Sequence, residues 1–246
     1  MILITGAGRG IGAAIARRAA AQLDEPVCIN YHRSAAAAEE LARDISKRGG
    51  QALALQADVS DEEQTVKMFD SAVERLGPLT GLVNNAGVTG GLSRVMDVDL
   101  AQVDAAYRAV LRSVVLCTRE GLRRMAVSRD GRGGSIVNIS STGARTGGGG
   151  EWVHYAALKA AVNAHTWGTA QEAAADGVRV NAVAPGLIQT DLHVDNGVPE
   201  RPERLRASVP LGRIGTPDEV AQAAVFLLSP AASYMTGSVM EVGGGR

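Results

Sequence analysis

The first twelve residues constrain the fold most strongly. The apolar run Ile2 to Ile4 leads straight into T-G-A-G-R-G-I-G (Thr5 to Gly12), and a helical pattern with Ile11 and Ile15 on one face begins there. In a strand, glycine turn and helix arranged in this order, backbone N–H groups and the helix N-terminus can approach a phosphate. The stretch therefore predicts the first βαβ unit of a dinucleotide-binding domain, with a merely structural turn as the alternative.

Strands and helices alternate along the rest of the chain. Short β-branched or apolar runs predict strands at Val27 to Tyr31, Gln51 to Gln56, Leu79 to Val83, Ser135 to Ile139, Val178 to Ala184 and Ser238 to Val242. Helical patterns cover Ser34 to Arg48, Leu100 to Met125, a segment ending near Ala175, and a segment from Thr216 to Leu228. The alternation predicts an α/β, single-domain Rossmann fold over residues 1–246, in which helices cover a doubly wound parallel sheet of about seven strands.

Composition narrows the class of protein. A net charge of -1 over 246 residues gives no reason to expect nucleic acid or a membrane surface as a partner. No apolar run reaches the roughly 18 to 20 residues of a membrane span, and a strand at Ile2 to Ile4 leaves no room for a signal peptide. Cys28 and Cys117 lie in apolar segments and are expected to be buried hydrophobes rather than metal or redox groups. A cytoplasmic location is the simplest expectation.

The end of the second strand bears on the choice of cofactor. An NAD-selective site has Asp or Glu there to bind the ribose hydroxyls, whereas this chain has Tyr31, His32 and Arg33, with Arg9 in the nearby glycine loop. Cationic groups at that position suit a 2′-phosphate, so NADP(H) is favoured over NAD(H). The alternative is that His32 and Arg33 are ordinary solvated residues.

The ends of the third and fourth strands supply further candidates. Asp58 and Val59 follow the third strand, and Asp58 is placed to reach the adenine edge. Ser60, with Glu63 three residues later, predicts a capping box for the next helix. The fourth strand ends in N-N-A-G (Asn84 to Gly87), whose small residues would let the chain pass close to a ribose.

The stretch from Gly134 to Lys159 brings together groups suited to proton transfer. Its buried strand ends at Ser140 and Ser141, and a helix-like segment then carries Tyr155 and Lys159. Residues four apart share one helix face, so the phenol and the ammonium can act on the same substrate oxygen as a serine hydroxyl.

Two later features have less certain roles. The polar, proline-containing segment 187–213 follows Pro185 and Gly186, is too long for an ordinary connection, and is expected to be a substrate lid. No metal site is expected, because the histidines do not form a metal-like cluster in sequence. A substrate contact is left open for His154 and His193, and His165 is expected to be a packing or surface residue.

Taken together, these strings resemble the short-chain dehydrogenase/reductase family along essentially the whole chain. The motifs that carry the resemblance are Thr5 to Gly12, Asn84 to Gly87, the serine before the loop, Y-A-A-L-K (Tyr155 to Lys159), P-G-L-I-Q-T (Pro185 to Thr190) and Y-M-T-G-S (Tyr234 to Ser238). Within the family the chain looks most like NADP-using carbonyl reductases, with ketoacyl reductases and glucose dehydrogenases as the nearest kinds.

The resemblance implies roles for individual residues. Tyr155 would be the catalytic acid/base, and Ser141 would hold the substrate oxygen. Lys159 would be the partner of Tyr155: it would lower the pKa of the phenol and bind the nicotinamide ribose. The residues expected to bind the cofactor are Gly6, Gly8, Arg9, Gly10, Ile11, Gly12, Tyr31, His32, Arg33, Asp58, Val59, Asn85, Ala86, Gly87, Tyr155, Lys159, Pro185, Gly186, Ile188 and Thr190. Family members are commonly tetramers packed through two long helices and the last strand, so a homo-oligomer is expected.

Two positions depart from the family pattern. The gap from Ser141 to Tyr155 is one residue longer than usual, and Val110 stands where the family has an Asn that anchors a water beside the lysine. The leading hypothesis is NADP(H)-dependent interconversion of a carbonyl and an alcohol by hydride transfer. The alternatives are an NAD-linked sugar or polyol dehydrogenase and, because of Val110, a nucleotide-binding protein with weakened catalysis.

Overall fold

The computed structural model describes all 246 residues and contains one sheet of seven parallel strands. The strands are β1 Ile2–Ile4, β2 Val27–Tyr31, β3 Ala52–Gln56, β4 Gly81–Asn84, β5 Gly134–Ile139, β6 Val178–Pro185 and β7 Val239–Val242. The helices are α1 Gly10–Gln22, α2 Ala35–Lys47, α3 Glu62–Leu76, α4 Leu100–Tyr107, α5 Ser113–Met125, α6 Gly143–Thr146, α7 Val153–Ala173, α8 Leu192–Asp195, α9 Arg201–Leu205 and α10 Pro217–Leu228. None of the helices combines the length and the apolar character that crossing a membrane requires.

Each face of the sheet has its own apolar core. On one face Ile4 packs in a cluster that includes Ile15 of α1 and Val220 of α10. On the other face Leu3 packs in a cluster with Phe69 of α3. Alternate residues of one strand thus enter opposite cores, which is why the central strands are apolar throughout rather than alternating with polar residues. The two cysteines, Cys28 and Cys117, are free thiols buried in the second core, as expected.

The strand order is β3-β2-β1-β4-β5-β6-β7, which confirms the predicted doubly wound fold. Ile4 pairs with Ile29 of β2 on one side and with Val83 of β4 on the other. The chain therefore builds the sheet outward from β1 in both directions, and a crevice opens at the carboxyl ends of β1 and β4, where ligands bind in such sheets.

The start of α3 differs from the prediction. Asp61 is the N-cap, and its side chain accepts a hydrogen bond from the Gln64 backbone N–H at 2.9 Å. Ser60 instead donates to the Asp58 carboxylate, from its backbone at 2.9 Å and from its hydroxyl at 2.8 Å. The Ser60–Glu63 capping box is therefore wrong by one residue, because the adjacent Asp is the better-placed acceptor.

The predicted helix over Leu100 to Met125 is interrupted by a π-helical turn at Arg108–Arg112. The α-helical spacing of the sequence predicts one apolar face formed by Tyr107, Val110, Leu111, Val114 and Val115. In the structure Val110 and Val114 are buried, but Tyr107 and Val115 are 46% and 44% exposed. The π-helical turn is wider than an α-helical turn, so it rotates the residues after it relative to those before it. Residues at α-helical spacing on either side of the turn therefore do not share one face.

The segment 187–213 folds against the open edge of the cleft and contains the short helices α8 and α9. After it, Thr216 and Glu219 form the predicted capping box at the start of α10, with Pro217 in the first turn. This box fixes the point at which the segment rejoins the sheet scaffold.

Candidate active site

A cleft of about 1070 Å³ runs along the carboxyl edge of the sheet. Every residue that the sequence predicted for the site lines it, except Gly12. The structure therefore brings together the glycine loop, the ends of β2, β3 and β4, the serine at the end of β5, and Tyr155 and Lys159 on α7. The convergence follows from the parallel sheet, which sends all these loops to one edge.

The glycine loop is shaped by close packing as well as by its exposure to the cleft. Gly6 has a φ of +60°, and a Cβ there would lie 2.9 Å from the Ala86 Cα. A Cβ on Gly12 would lie 2.6 Å from the Asn85 Nδ2. Gly12 is therefore needed for contact between α1 and the loop after β4, and it does not face the cleft.

Buried polar side chains hold the loop in place. Asn30 in β2 accepts a hydrogen bond from the Gly6 N–H at 3.1 Å and donates to the Ala57 carbonyl at 3.1 Å. Asn85 donates to the carbonyls of Thr5 and Gly6 at 2.9 and 3.1 Å. Sequence reasoning missed the role of Asn30, although an Asn in the middle of an apolar strand is a signal that could have found it.

The N-terminus of α1 suits a pyrophosphate. Arg9 is its N-cap and makes no side-chain capping hydrogen bond, so no side chain competes for the first backbone N–H groups. Gly8 and Gly10 line the cleft beside it without a side chain that would block a ligand. The residues present thus fit a dinucleotide whose phosphates lie on the helix dipole.

The cationic groups near the end of β2 are only partly free. Tyr31, His32 and Arg33 line the cleft as predicted. Arg9 forms a two-point ion pair with Asp195 of α8, a contact that raises the pKa of Arg9, and it lies 3.8 Å from the Asp191 carboxylate. The segment 187–213 therefore engages the arginine that the sequence assigned to a 2′-phosphate.

The two serines at the end of β5 have different hydrogen bonds. Ser140 is buried and donates its hydroxyl to the Lys159 carbonyl at 3.2 Å. The Ser141 Oγ accepts a hydrogen bond from the Gly143 N–H at 3.0 Å, which leaves its own O–H free to donate. Of the two, Ser141 is the serine able to hydrogen-bond a ligand oxygen in the cleft.

Tyr155 and Lys159 lie close together on α7. The Lys159 Nζ is 5.5 Å from the centre of the Tyr155 ring and donates to the Ile139 carbonyl at 2.6 Å. Burial raises the pKa of Tyr155 and lowers the pKa of Lys159 to about 8. The expected lowering of the phenol's pKa is therefore wrong for this arrangement, because desolvation outweighs any effect of the neighbouring ammonium.

The chain matches a family model described as "Enoyl-(Acyl carrier protein) reductase" over residues 6–246. A protein of Escherichia coli named "Uncharacterized oxidoreductase YgfF" is 43% identical over 244 residues, which cover 99% of this chain and 98% of that protein. The chain belongs to the short-chain dehydrogenase/reductase family. It is thus an NAD(P)-dependent oxidoreductase that uses a nicotinamide cofactor.

Two further relatives agree with this assignment to the short-chain dehydrogenase/reductase family. A 3-oxoacyl-(acyl-carrier-protein) reductase of Synechocystis is 37% identical over 244 residues, covering 99% of this chain and 95% of its own. A solved structure of a short-chain dehydrogenase/reductase from Serratia marcescens superposes with a TM-score of 0.90 at 32% identity, covering 99% of this chain and 96% of that one. The likeness therefore extends over the whole domain.

Val110, the departure from the pattern of the short-chain dehydrogenases/reductases, is fully buried in the π-helical turn. It packs with Val114 and Val162, and the ring of Tyr155 packs against this group. Gly87 lies between it and the lysine, since a Cβ there would be 3.5 Å from Val110 and 3.9 Å from the Lys159 Nζ. The wall beside the ammonium is thus apolar, and the Ile139 carbonyl is its hydrogen-bond partner within the protein.

Trp152 lines the cleft but was not foreseen from the sequence, whereas His193, for which a substrate contact was left open, also lines it. Trp152 packs edge-on against Tyr155, and His193 of α8 stacks on Trp152. Of the other histidines, His154 hydrogen-bonds the Thr89 carbonyl and His165 lies away from the cleft. Two predictions pointed to a contribution from α8: the lid at 187–213 and the substrate contact left open for His193.

Proposed function

We propose that this protein interconverts a carbonyl compound and an alcohol with NADP(H), and that Tyr155 is the proton donor in the reducing direction. The observation that carries the proposal is that the phenol, the free O–H of Ser141 and the buried Lys159 line the same cleft as the glycine loop. A hydroxyl that holds a carbonyl oxygen beside a positioned acid is the arrangement that carbonyl reduction needs.

In the reducing direction, Ser141 donates a hydrogen bond to the carbonyl oxygen and orients it toward Tyr155. The bound nicotinamide would supply the hydride to the carbonyl carbon. As negative charge develops on the oxygen, Tyr155 transfers its proton there and the alcohol is complete. The raised pKa of Tyr155 keeps the phenol protonated before transfer, which is the form a proton donor requires.

Lys159 acts on the phenol rather than on the substrate. Below about pH 8 it is an ammonium, and it lies close enough to Tyr155 to stabilise the phenolate left after proton transfer. Its hydrogen bond to the Ile139 carbonyl fixes the head group at the end of β5. Lys159 therefore also holds the position from which it would contact the nicotinamide ribose.

The preference for NADP(H) rests on the charges at the end of β2. His32 and Arg33 line the cleft there, Arg33 forms no ion pair, and no carboxylate stands among the three residues from Tyr31 to Arg33. A guanidinium free of an ion pair suits a 2′-phosphate, and the end of β2 itself supplies no carboxylate that would repel one.

The experiment is a titration of the purified protein with NADPH and with NADH, followed by nicotinamide fluorescence. We expect tighter binding of NADPH, and a loss of about tenfold or more in NADPH affinity in Arg33→Ala and Arg9→Ala with NADH affinity unchanged. Arg17→Ala is the matched control, because Arg17 is an exposed arginine of α1 outside the cleft. Preference for NADH would contradict the proposal and favour an NAD-linked dehydrogenase of sugars or polyols.

We also propose that residues 187–213 act as a lid. The segment makes contacts at both ends of the cleft, through Asp195 with Arg9 and through Arg201 with Glu151. These ion pairs join the segment to the glycine loop and to Glu151, which lies two residues before the start of α7. Closing over both ends would exclude water from the reacting groups.

A homo-oligomer is the expected assembly. The helices that the family uses for packing expose large apolar side chains here, namely Leu100, Tyr107 and Val115 on α4 and α5 and Trp167 on α7. Apolar side chains of this size on neighbouring helices are typical of a subunit interface. Light scattering of the purified protein should give a mass above that of one 25.4 kDa chain.

A second candidate is a nucleotide-binding protein with weakened catalysis, which the burial of Val110 favours. An apolar side chain cannot anchor the water that would pass a proton to Lys159. Tight NADPH binding without turnover of a broad panel of ketones and aldehydes would support this candidate. Turnover that Tyr155→Phe abolishes would rule it out.

A further inference from the structure

The end of the cleft beyond Tyr155 carries an excess of positive charge. Arg201 lies over the Trp152 ring, with its Cζ 3.9 Å from the ring centre, and it ion-pairs with one Glu151 oxygen at 2.6 Å. Arg204 takes the other Glu151 oxygen at 2.8 Å. The one carboxylate in this cluster is therefore shared by two guanidinium groups.

Arg246 adds a third guanidinium, which forms no ion pair with a side chain and shares the electrostatic attraction of Glu151 with Arg201 and Arg204. Its side chain lines the cleft, and its main-chain oxygen accepts a hydrogen bond from Arg145 at 3.3 Å. Burial and the nearby Arg201 lower the pKa of Arg246, and Glu151 opposes this shift without cancelling it. Arg246 and Arg201 are therefore two like charges that repel each other in a partly desolvated place. The other cleft carboxylates of the segment 187–213, Asp191 and Asp195, face Arg9 instead.

Two buried polar atoms in the same wall lack a hydrogen-bond partner. They are the Trp152 Nε1 and the His193 Nδ1, on side chains that are more than nine-tenths buried and whose rings stack with centres 6.1 Å apart. Buried polar atoms are nearly always bonded, so an unpaired indole N–H in the wall of a cleft indicates a group that a ligand completes. Trp152 also touches the ring of Tyr155, so this group adjoins the reacting phenol.

We propose that this end of the cleft is a carboxylate-binding subsite, and that the substrate is an oxo acid in the reducing direction and a hydroxy acid in the oxidising direction. Arg246 pairs with the substrate carboxylate and the Trp152 indole N–H donates to it. His193 moves with the lid segment to uncover the indole nitrogen. This inference rests on the proposed carbonyl–alcohol interconversion and specifies its substrate class.

The test compares oxo acids with their neutral counterparts in NADPH-dependent reduction. Pyruvate, acetoacetate and levulinate are each assayed against the corresponding methyl ester, which keeps the ketone and removes the charge. We expect kcat/KM for at least one acid to exceed that of its ester by about tenfold or more, since a desolvated guanidinium–carboxylate pair is a strong contact. Arg246→Gln should lower kcat/KM for the acid by about tenfold and leave the ester within roughly twofold.

Two controls separate the subsite from general effects. Arg206→Gln removes an exposed arginine outside the cleft, paired with Glu203, and should leave the acid-to-ester ratio unchanged. Trp152→Phe keeps an aromatic ring against Tyr155 and removes the N–H donor. It should raise KM for the acid with little change in kcat for the ester.

Binding without turnover gives an independent readout. The chain has two tryptophans, so quenching of tryptophan fluorescence by lactate, but not by methyl lactate, should be lost in Trp152→Phe and kept in Trp167→Phe. Equal kcat/KM values for acids and esters, unaffected by Arg246→Gln, would overturn the subsite while leaving the proposed function intact. Quenching by the acid without any reduction would contradict the proposed function and support the subsite.

Discussion

In the half of the cleft beside β1 to β4, Asn30 and Thr5 accept hydrogen bonds from backbone N–H groups and Asn85 donates to backbone carbonyls. The half beyond Tyr155 is held by ion pairs and stacked rings instead. The first set joins loops to the sheet itself. The second set joins α8 and α9 to Glu151 and Trp152. The half proposed to bind the cofactor, here called the cofactor half, is therefore part of the rigid scaffold. The half proposed to bind the substrate, the substrate half, depends on side chains that can change without disturbing the sheet.

Tyr155 stands where the two halves meet, and its variant should have the largest effect. Tyr155→Phe removes the proton donor and should lower kcat by about 10²- to 10⁴-fold, with the NADPH dissociation constant unchanged. Steady-state kinetics and fluorescence titration measure the two quantities. Tyr107→Phe, at a half-exposed tyrosine, is the control and should behave as the wild type. A fall in kcat of less than tenfold would remove Tyr155 from the mechanism.

Lys159 lies beside Tyr155, and its burial is expected to lower the unfolding free energy of the protein. Its pKa of about 8 in the folded protein lies below the ordinary 10.5, so between these pH values the unfolded chain binds more protons and the wild type gains stability as pH rises. In Lys159→Met this gain is absent. The unfolding free energy of the wild type, measured relative to that of Lys159→Met, should therefore rise by roughly 3 kcal/mol from pH 8 to 10.5.

Urea denaturation of the wild type and Lys159→Met at several pH values measures this difference. Titration of Cys28 and Cys117, whose pKa values burial raises, occurs in both proteins and cancels in the comparison. Because Lys159 acts on the Tyr155 phenol, the comparison is made with Tyr155→Phe present in both proteins. A difference that stays constant over the range would mean that Lys159 keeps an ordinary pKa in the fold.

Matched Asn variants compare the two halves directly. Asn85→Ala removes two hydrogen bonds to the glycine loop and should cost about 1–3 kcal/mol of unfolding free energy, weakening NADH and NADPH alike. Asn196→Ala likewise removes two hydrogen bonds, one to the Leu192 carbonyl and one from the Thr89 hydroxyl, and should cost less because residues 187–213 can shift without disturbing the sheet. Equal costs for the two variants would show that the substrate half is as firmly fixed as the cofactor half.

The smallest effect is expected for the ion pair between Arg9 of the glycine loop and Asp195 of α8, which connects the two halves of the cleft. Asp195→Asn frees Arg9 from an exposed ion pair, which is worth about 0.2–1 kcal/mol, so NADPH should bind roughly twofold to fivefold more tightly. NADH, which lacks the 2′-phosphate, should bind as before. Fluorescence titrations of both cofactors measure the change, and an equal gain for NADH would indicate lid opening rather than release of Arg9.

The sequence predicted which residues would meet in the cofactor half of the cleft, because the signals for that half are local. A glycine loop after Ile4 and small residues after Asn84 are visible in a few consecutive letters, and a parallel sheet brings them to one edge. The pairing of Arg201 with Glu151 spans 50 residues and has no local pattern. The raised pKa of Tyr155 depends on burial, and the π-helical turn at Arg108–Arg112 is a backbone feature, so neither followed from spacing alone.

The central position of β1 has a consequence for how the chain reaches its native state. The Thr5 backbone N–H and hydroxyl donate to the Val83 carbonyl, 78 residues later, so the crevice does not exist until just over a third of the chain has been made and β4 has paired with β1. Such long-range pairing is slow because loop-closure entropy is lost before the contact forms. A dinucleotide present during refolding would bind only molecules that have completed this step and would draw the population toward them by mass action.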